Sequence, residues 1–330
     1  MSAFEHYQQY ILAKYSNLPR GRYVSLFIVR KTESETIFRT EGSGEGLVKE
    51  TVSAGLRNPD PIRRVVISKR KQTAVERRTG RELLREHDLL KKAPKVEHLC
   101  MLNTNAPCEQ CIDCFLYGYA AGGGGAQKSR VLTDDAYSLG PVAQVTSRRT
   151  FNATYDDGTM RNPLNKAQAS TSINEDEYVL PQTHFLDIET LKDVTLAELQ
   201  YTIGNIMRSS RYGAISSRLG KVDNQIVAVA FSDCELFSNL ELTQAVYDRL
   251  KPADDDDLPF PLSDAAVRDA VLAAYDQLIG NVFSRTPVLL QGDALRTELA
   301  GVQALYAEPE QIKAILSNLT NSYPQPAKGK

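Results

Sequence analysis

Four of the five cysteines of this chain, Cys100, Cys108, Cys111 and Cys114, fall within 15 positions. Thiolates clustered this closely are a ligand set for a soft metal. Zinc takes four such ligands in a tetrahedron, and short spacings keep the closure entropy of the site low. The stretch around them is poor in large core residues, so a metal would organise it. His98 stands by as a spare ligand. An iron–sulfur cluster, buried free thiols and a redox pair are the competing readings. Four closed ligands leave no position for a catalytic water, so a zinc here is structural.

The cysteines run directly into a glycine loop. Gly122–Gly125, between Tyr119 and Lys128, offers backbone amides that a phosphate could approach, or is simply a hairpin tip. It is not a nucleoside-triphosphate loop, because no GK[ST] follows, and no GxGxxG opens a helix.

The formal net charge of −2 conceals two opposed runs. From Arg63 to Lys95 there are 12 Lys/Arg against 4 Asp/Glu; from Phe231 to Glu310 there are 15 acids against 5 bases. Either run alone reads as a solvated face. Together they suit a polyanion at one end and head-to-tail stacking of copies. The basic stretch SKRKQ (68–72) and the helix behind it fit phosphate contact, which gives affinity without sequence preference. Arg211, Arg218 and Lys221 surround glycines that let a backbone come near, and Arg148 and Arg149 sit beside Phe151.

For catalysis the chain is poor. There is no nucleophile elbow, and His6, His87, His98 and His184 are scattered without recognisable partners. The balance shifts from enzyme to binder, with no residue assigned a catalytic role. The alternative is a metal-dependent single-strand nuclease using acids in 41–60, among them Glu41, Glu45 and Glu50.

The elements that must position these groups follow from periodicity. RYVSLFIVR (22–30) reads as a strand, SETIFRTE (34–41) as its hairpin partner, and IRRVVIS (62–68) as a further strand. Residues 73–91 read as a helix with Val75, Leu83, Leu89 and Leu90 on one side. PVAQVTSRRTFNATY has strand composition; 156–177 is a long polar excursion; 178–189 resumes as strand. Thr195 and Glu198 form a capping box for a helix whose buried stripe is Leu199, Ile203, Ile206 and Met207. A strand at 224–233 precedes helices at 241–250, 264–279 and 309–319. The order of the central elements is that of a ferredoxin-like fold with large insertions. No apolar run approaches the roughly 20 residues a bilayer requires, and the first residues lack a signal-peptide pattern, so the expectation is a cytoplasmic protein without membrane contact.

These pieces, in this order, resemble one family. CEQCIDCFLYGYA followed by KSRVLTDDAYS, VISKRKQTAVERRTGRELL and RSSRYGAISSRLGKV resemble segments of the crRNA-binding backbone subunits of CRISPR effector (Cascade) complexes, most closely that of type I-D. The match runs over most of residues 20–232. The resemblance implies an α+β fold: a ferredoxin-like (RRM-like) βαββαβ core over 20–232, a zinc-stabilised insertion at 92–140, a β-hairpin thumb at 150–180, and an acidic helical C-terminal part over 233–330. It implies a non-catalytic protein of antiviral defence that polymerises along crRNA and presents it to target DNA or RNA. Its partners would be copies of itself in a helical filament and the other effector subunits. Guide phosphates would meet Lys69, Lys71, Gln72, Arg77, Arg81 and Arg211, joined by Arg148 and Arg218, with Phe151 and Met160 as wedges on the thumb. Relatives that cut RNA use an aspartate in an early glycine-rich loop; the corresponding EGSGEGLVKE has none.

Overall fold

A computed structural model of the chain describes residues 2–39, 46–93, 96–121, 125–171, 173–213, 220–252, 258–285 and 287–324. A 3-10 turn over Glu5–Tyr10 precedes strand β1 (Tyr23–Thr32). The hairpin of β2 (Lys49–Ser53) and β3 (Pro61–Ile67) leads into helix α1 (Lys69–Glu86). The cysteine region holds α2 (Ile112–Tyr117) and a small ladder of β4 (Tyr119–Ala121) and β5 (Gly125–Gln127). Next come β6 (Val131–Thr133), β7 (Ala136–Ser138) and the short α3 (Val142–Val145). An arm follows, built from β8 (Thr146–Asn152), β9 (Arg161–Asn162), β10 (Asn165–Ala169) and β11 (Ile173–Val179). The chain returns through β12 (His184–Lys192), α4 (Leu196–Arg208), β13 (Arg211–Tyr212) and β14 (Gly220–Ser232). It finishes with α5 (Asn239–Leu250), α6 (Asp264–Ile279), β15 (Val288–Gln291), α7 (Gly292–Ala307) and α8 (Pro309–Ser322).

Among the described residues, the main sheet runs β13-β14-β1-β12-β7-β3-β2, with β15 on β14 and β6 on β12. Its pairings are antiparallel, and central Phe27 of β1 sits opposite Ile188 and Ala228. Successive side chains of a strand point to opposite faces. Val24, Leu26 and Ile28 therefore join one core, with α4 and the cysteine region; Phe27 and Val29 join another, with α5 and α6. Burial on both faces explains why β1 reads as a continuous apolar run rather than an alternating one. A third cluster, around Val65, Ile67, Phe185 and Tyr212, closes the sheet end at the root of the arm. The acidic C-terminal part is built into this body: β15 extends the sheet, α5 and α6 cover one face, and α7 packs on the other against α4.

The Thr195–Glu198 capping box is present with both reciprocal hydrogen bonds, a cap of the kind worth about 1 kcal/mol. Leu199, Ile203 and Ile206 are fully buried beneath it, but Met207 is 41% exposed and lies off the stripe. Helix α1 begins four residues earlier than its apolar stripe suggests, so Lys69–Lys71 form its first turn. It ends at Glu86 because Asp88 takes a left-handed conformation (φ 57°), although Leu89 and Leu90 remain buried. Residues 34–39 do not pair with β1 as a hairpin; Thr36 instead bridges Val179. No helix among the described residues is long and apolar enough to cross a membrane.

Candidate nucleic-acid interface and metal centre

The cysteines converge. Cys100, Cys108, Cys111 and Cys114 are all buried, and their sulfurs lie within 4.8 Å of one another. Cys100 Sγ is 3.7 Å from Cys114 Sγ, and Cys108 Sγ is 3.9 Å from it. A tetrahedron with metal–sulfur bonds of about 2.3 Å has edges of about 3.8 Å, so these two separations match those of a zinc site. It is far longer than a disulfide bond, and all four thiols are free. Four thiolates around a divalent ion leave two negative charges to offset. The backbone amide of Cys108 donates to Cys100 Sγ at 3.4 Å, and that of Cys111 to Cys108 Sγ at 3.3 Å. Arg81 Nη1 stands 3.8 Å from Cys100 Sγ. His98 lies outside the group, its Nδ1 turned to the Leu99 carbonyl at 2.9 Å.

Helix α1 holds this lobe through two of the expected RNA contacts. Asp113, 1% exposed, accepts from Arg77 Nε and Nη2 at 2.9 Å each and from Arg81 Nη1 at 2.8 Å. Arg81 also donates to the Cys100 carbonyl and is itself only 3% exposed. In this arrangement its guanidinium clamps the lobe to α1. Gln72 is likewise buried, its amide donating to the carbonyls of Ile67 (3.0 Å) and Asp134 (3.2 Å). Arg64, in the same basic run, is fully buried over the Tyr247 ring, and burial pulls its pKa down to about 10. The run of positive charge in the sequence is thus partly internal.

Helix α1 exposes Arg78, Glu82, Arg85 and Glu86 along its outer side, and also its first turn. Lys69 and Arg70 are exposed, Lys71 is half-buried, and the Lys69 amide is fixed by Asp135 Oδ1 at 2.8 Å. Lys69 and Arg70 line a cleft of about 530 Å³ whose wall includes Thr73, Arg77, Thr133, Thr190 and Phe237. Arg211 is exposed on β13, in register with Lys221. Arg218, Glu41, Glu45 and Gly122–Gly124 lie outside the described residues.

The arm begins as a seven-pair ladder of β8 and β11, from Thr146↔Val179 to Asn152↔Ile173. Beyond it, among the described residues, only β9 and β10 pair, and nearly every residue between 152 and 171 is exposed. Arg148, with its side chain 73% exposed, stands 3.6 Å from Glu175. Met160 is half-buried, and the Phe151 side chain lies outside the described set. The apolar group that stands clear is Leu164, 96% exposed in the turn joining β9 to β10. Its Asn162-Pro163-Leu164-Asn165 context is a turn signal that could have drawn attention to it.

Acids do cluster inside the molecule, yet not where a substrate could reach them. Arg30, fully buried, donates to Asp187 Oδ2 from Nε (3.0 Å) and Nη2 (2.6 Å), and to Glu76 Oε1 at 2.8 Å. Glu189 stands off at 4.0 Å. Glu76 Oε2 and both Glu189 oxygens find no donor among the described residues. The two carboxyls are within hydrogen-bonding reach of each other, and burial raises Glu189 well above the usual carboxyl range. A proton held on Glu189 and donated to Glu76 would engage one oxygen of each carboxyl and leave the second Glu189 oxygen without a donor among the described residues.

Three comparisons place the chain among known proteins. The family model described as Csc2 Crispr matches residues 10–316. The crystal structure of Thermofilum pendens Csc2 is similar at 19% identity, covering 96% of each chain with a TM-score of 0.55. A chain of a CRISPR RNA-guided surveillance complex aligns at 11% identity over 90% of this chain and 99% of its own, with a TM-score of 0.46. Among curated proteins there is no match. With its cysteine lobe, basic helix and arm all inside the matched span, this chain belongs to the Csc2 CRISPR family.

Proposed function

We propose that the chain is a non-catalytic, guide-RNA-binding backbone subunit of a CRISPR effector complex of type I-D. The family match over residues 10–316 carries this reading. The succession β1–α1–β6/β7–β12–α4–β14 supports a ferredoxin-like core. Open RNA-recognition sheets stack bases on a bare face. Here α5 and α6 occupy one face and α4 the other, so the sheet itself is not the binding surface. RNA would instead follow the exposed cations: Lys69 and Arg70 beside the cleft, Arg211 on β13 and Arg148 on the arm. The four cysteines would hold a structural zinc that keeps the lobe folded against α1. The arm would act as the thumb, with Leu164 as its apolar wedge, folding over the guide of a neighbouring copy. Copies would stack along crRNA with the other effector subunits and leave the guide open to target DNA or RNA.

Purification without nuclease treatment tests this. The expected product carries RNA of defined length, with an absorbance ratio to match, and its affinity for single strands falls steeply with salt. A protein that emerges free of nucleic acid and ignores single-stranded RNA at low ionic strength refutes the reading.

A further inference from the structure

The four-cysteine centre and the cleft are linked by a short chain of contacts. Helix α2 has only six residues and no side-chain cap at its N-terminus. So short a helix is not stable alone. Cys111 sits at its N-cap and Cys114 lies in its first turn, so whatever draws the sulfurs together also sets the helix. Asp113 lies between them and is gripped by both arginines of α1. Arg77 is held further by the Gly118 carbonyl (3.3 Å) and lies over the Tyr117 ring at 5.5 Å. Its Nε and Nη2 are engaged; its Nη1 makes no hydrogen bond among the described residues, and Arg77 lines the cleft with Lys69 and Arg70.

We propose that Asp113 is a positioning residue that makes phosphate binding at the cleft depend on metal in the cysteine centre. With metal bound, α2 is ordered, Asp113 is fixed, and Arg77 is pinned as the third cation of the wall. Without it, α2 loses the tie across its first turn, Asp113 leaves its place, and Arg77 is released from the wall. The proposal rests on the reading of the chain as a binder of single-stranded RNA and adds a condition to it.

The test uses the full chain in zinc-loaded and metal-stripped forms, with Asp113→Asn and Arg77→Gln variants and a uniform 30-nucleotide single-stranded RNA as probe. Metal content, affinity as a function of salt, and solvent exchange of the Arg77 Nε–H are measured. The expected Asp113→Asn protein keeps one metal per chain, binds about five-fold more weakly, and shows a log–log salt slope shallower by about 0.7, the share of one single-strand phosphate. Metal-stripped protein and Arg77→Gln should show the same loss, and combining Arg77→Gln with Asp113→Asn should add nothing. Wild-type affinity and slope in metal-loaded Asp113→Asn overturn the proposal. If the unaltered protein binds no RNA at all, the backbone-subunit reading fails, and Arg77 still decides the coupling. Exchange that speeds up on metal removal supports the coupling; exchange that stays slow in stripped protein overturns it.

Discussion

Glu189 and Asp187 lie on the same strand in the same buried charge cluster, yet replacing each by its amide should have opposite consequences. Asp187 makes two hydrogen bonds to Arg30, at 3.0 and 2.6 Å, so it is the guanidinium's close partner. Removing its charge leaves a buried guanidinium undercompensated, at a cost of about 3–5 kcal/mol. Glu189 stands 4.0 Å from Arg30, and burial raises it well above the usual range, so the folded chain keeps its proton. An unfolded chain releases that proton near pH 4.3. For a group whose folded pKa is raised, the stabilisation is complete at low pH and lost as pH rises towards the folded pKa. Each pH unit over which the folded protein keeps the proton costs about 1.4 kcal/mol. The amide introduced by Glu189→Gln has no such proton to keep, and it can still donate to Glu76. Glu189→Gln should therefore match the unaltered protein near pH 4.5 and exceed it increasingly towards pH 7. Asp187→Asn should be the less stable at neutral pH. Urea denaturation between pH 4.5 and 7.5 measures both. A Glu189→Gln protein destabilised at pH 7 by about 2 kcal/mol or more, with an unchanged pH slope, would mean that Glu189 is ionised and the shared-proton account is wrong.

Three further outcomes follow from the same geometry. Cys108→Ser should lower bound metal from one to none per chain and depress Tm by more than roughly 10 °C, given the several kcal/mol a structural zinc supplies; calorimetry with metal analysis reads both. Burial holds His184 below the usual histidine value against Asp264, 2.9 Å away. The unfolded chain takes up that proton first as pH falls through about 6.5, so stability should decline on acidification, and His184→Gln should flatten the decline seen in urea titrations at pH 5–7. Leu164→Glu, at a residue 96% exposed, should leave Tm within about 1 °C yet reduce protein multimers on long RNA in native gels.

Local chemistry was legible in the sequence and distant pairing was not. The Thr195–Glu198 box could be read because both partners lie within one turn. The four-cysteine cluster could be read because its spacing is itself the signal. The start of α1 was hidden because its first turn, Lys69–Lys71, carries no apolar residue to mark it. The grip of Arg77 and Arg81 on Asp113 was hidden because that partner lies more than 30 positions away. Arg30 looked like the polar end of a strand, whereas three acids from α1 and β12 draw it wholly inside. Helix α7 escaped notice because only Leu295 and Val302 of its residues are buried.

The arm has a consequence for the life of the unassembled chain. Its outer part is two short strands without a third, a construction of marginal stability in water. Unpaired backbone along such a ribbon suits a protease cleft, since cleavage needs an extended, accessible chain. Copies that have found no partner should be clipped between 152 and 171 while the sheet beneath stays whole. If copies assemble as proposed, burial of the ribbon would shield them, and the same ribbon would mark surplus subunits for turnover.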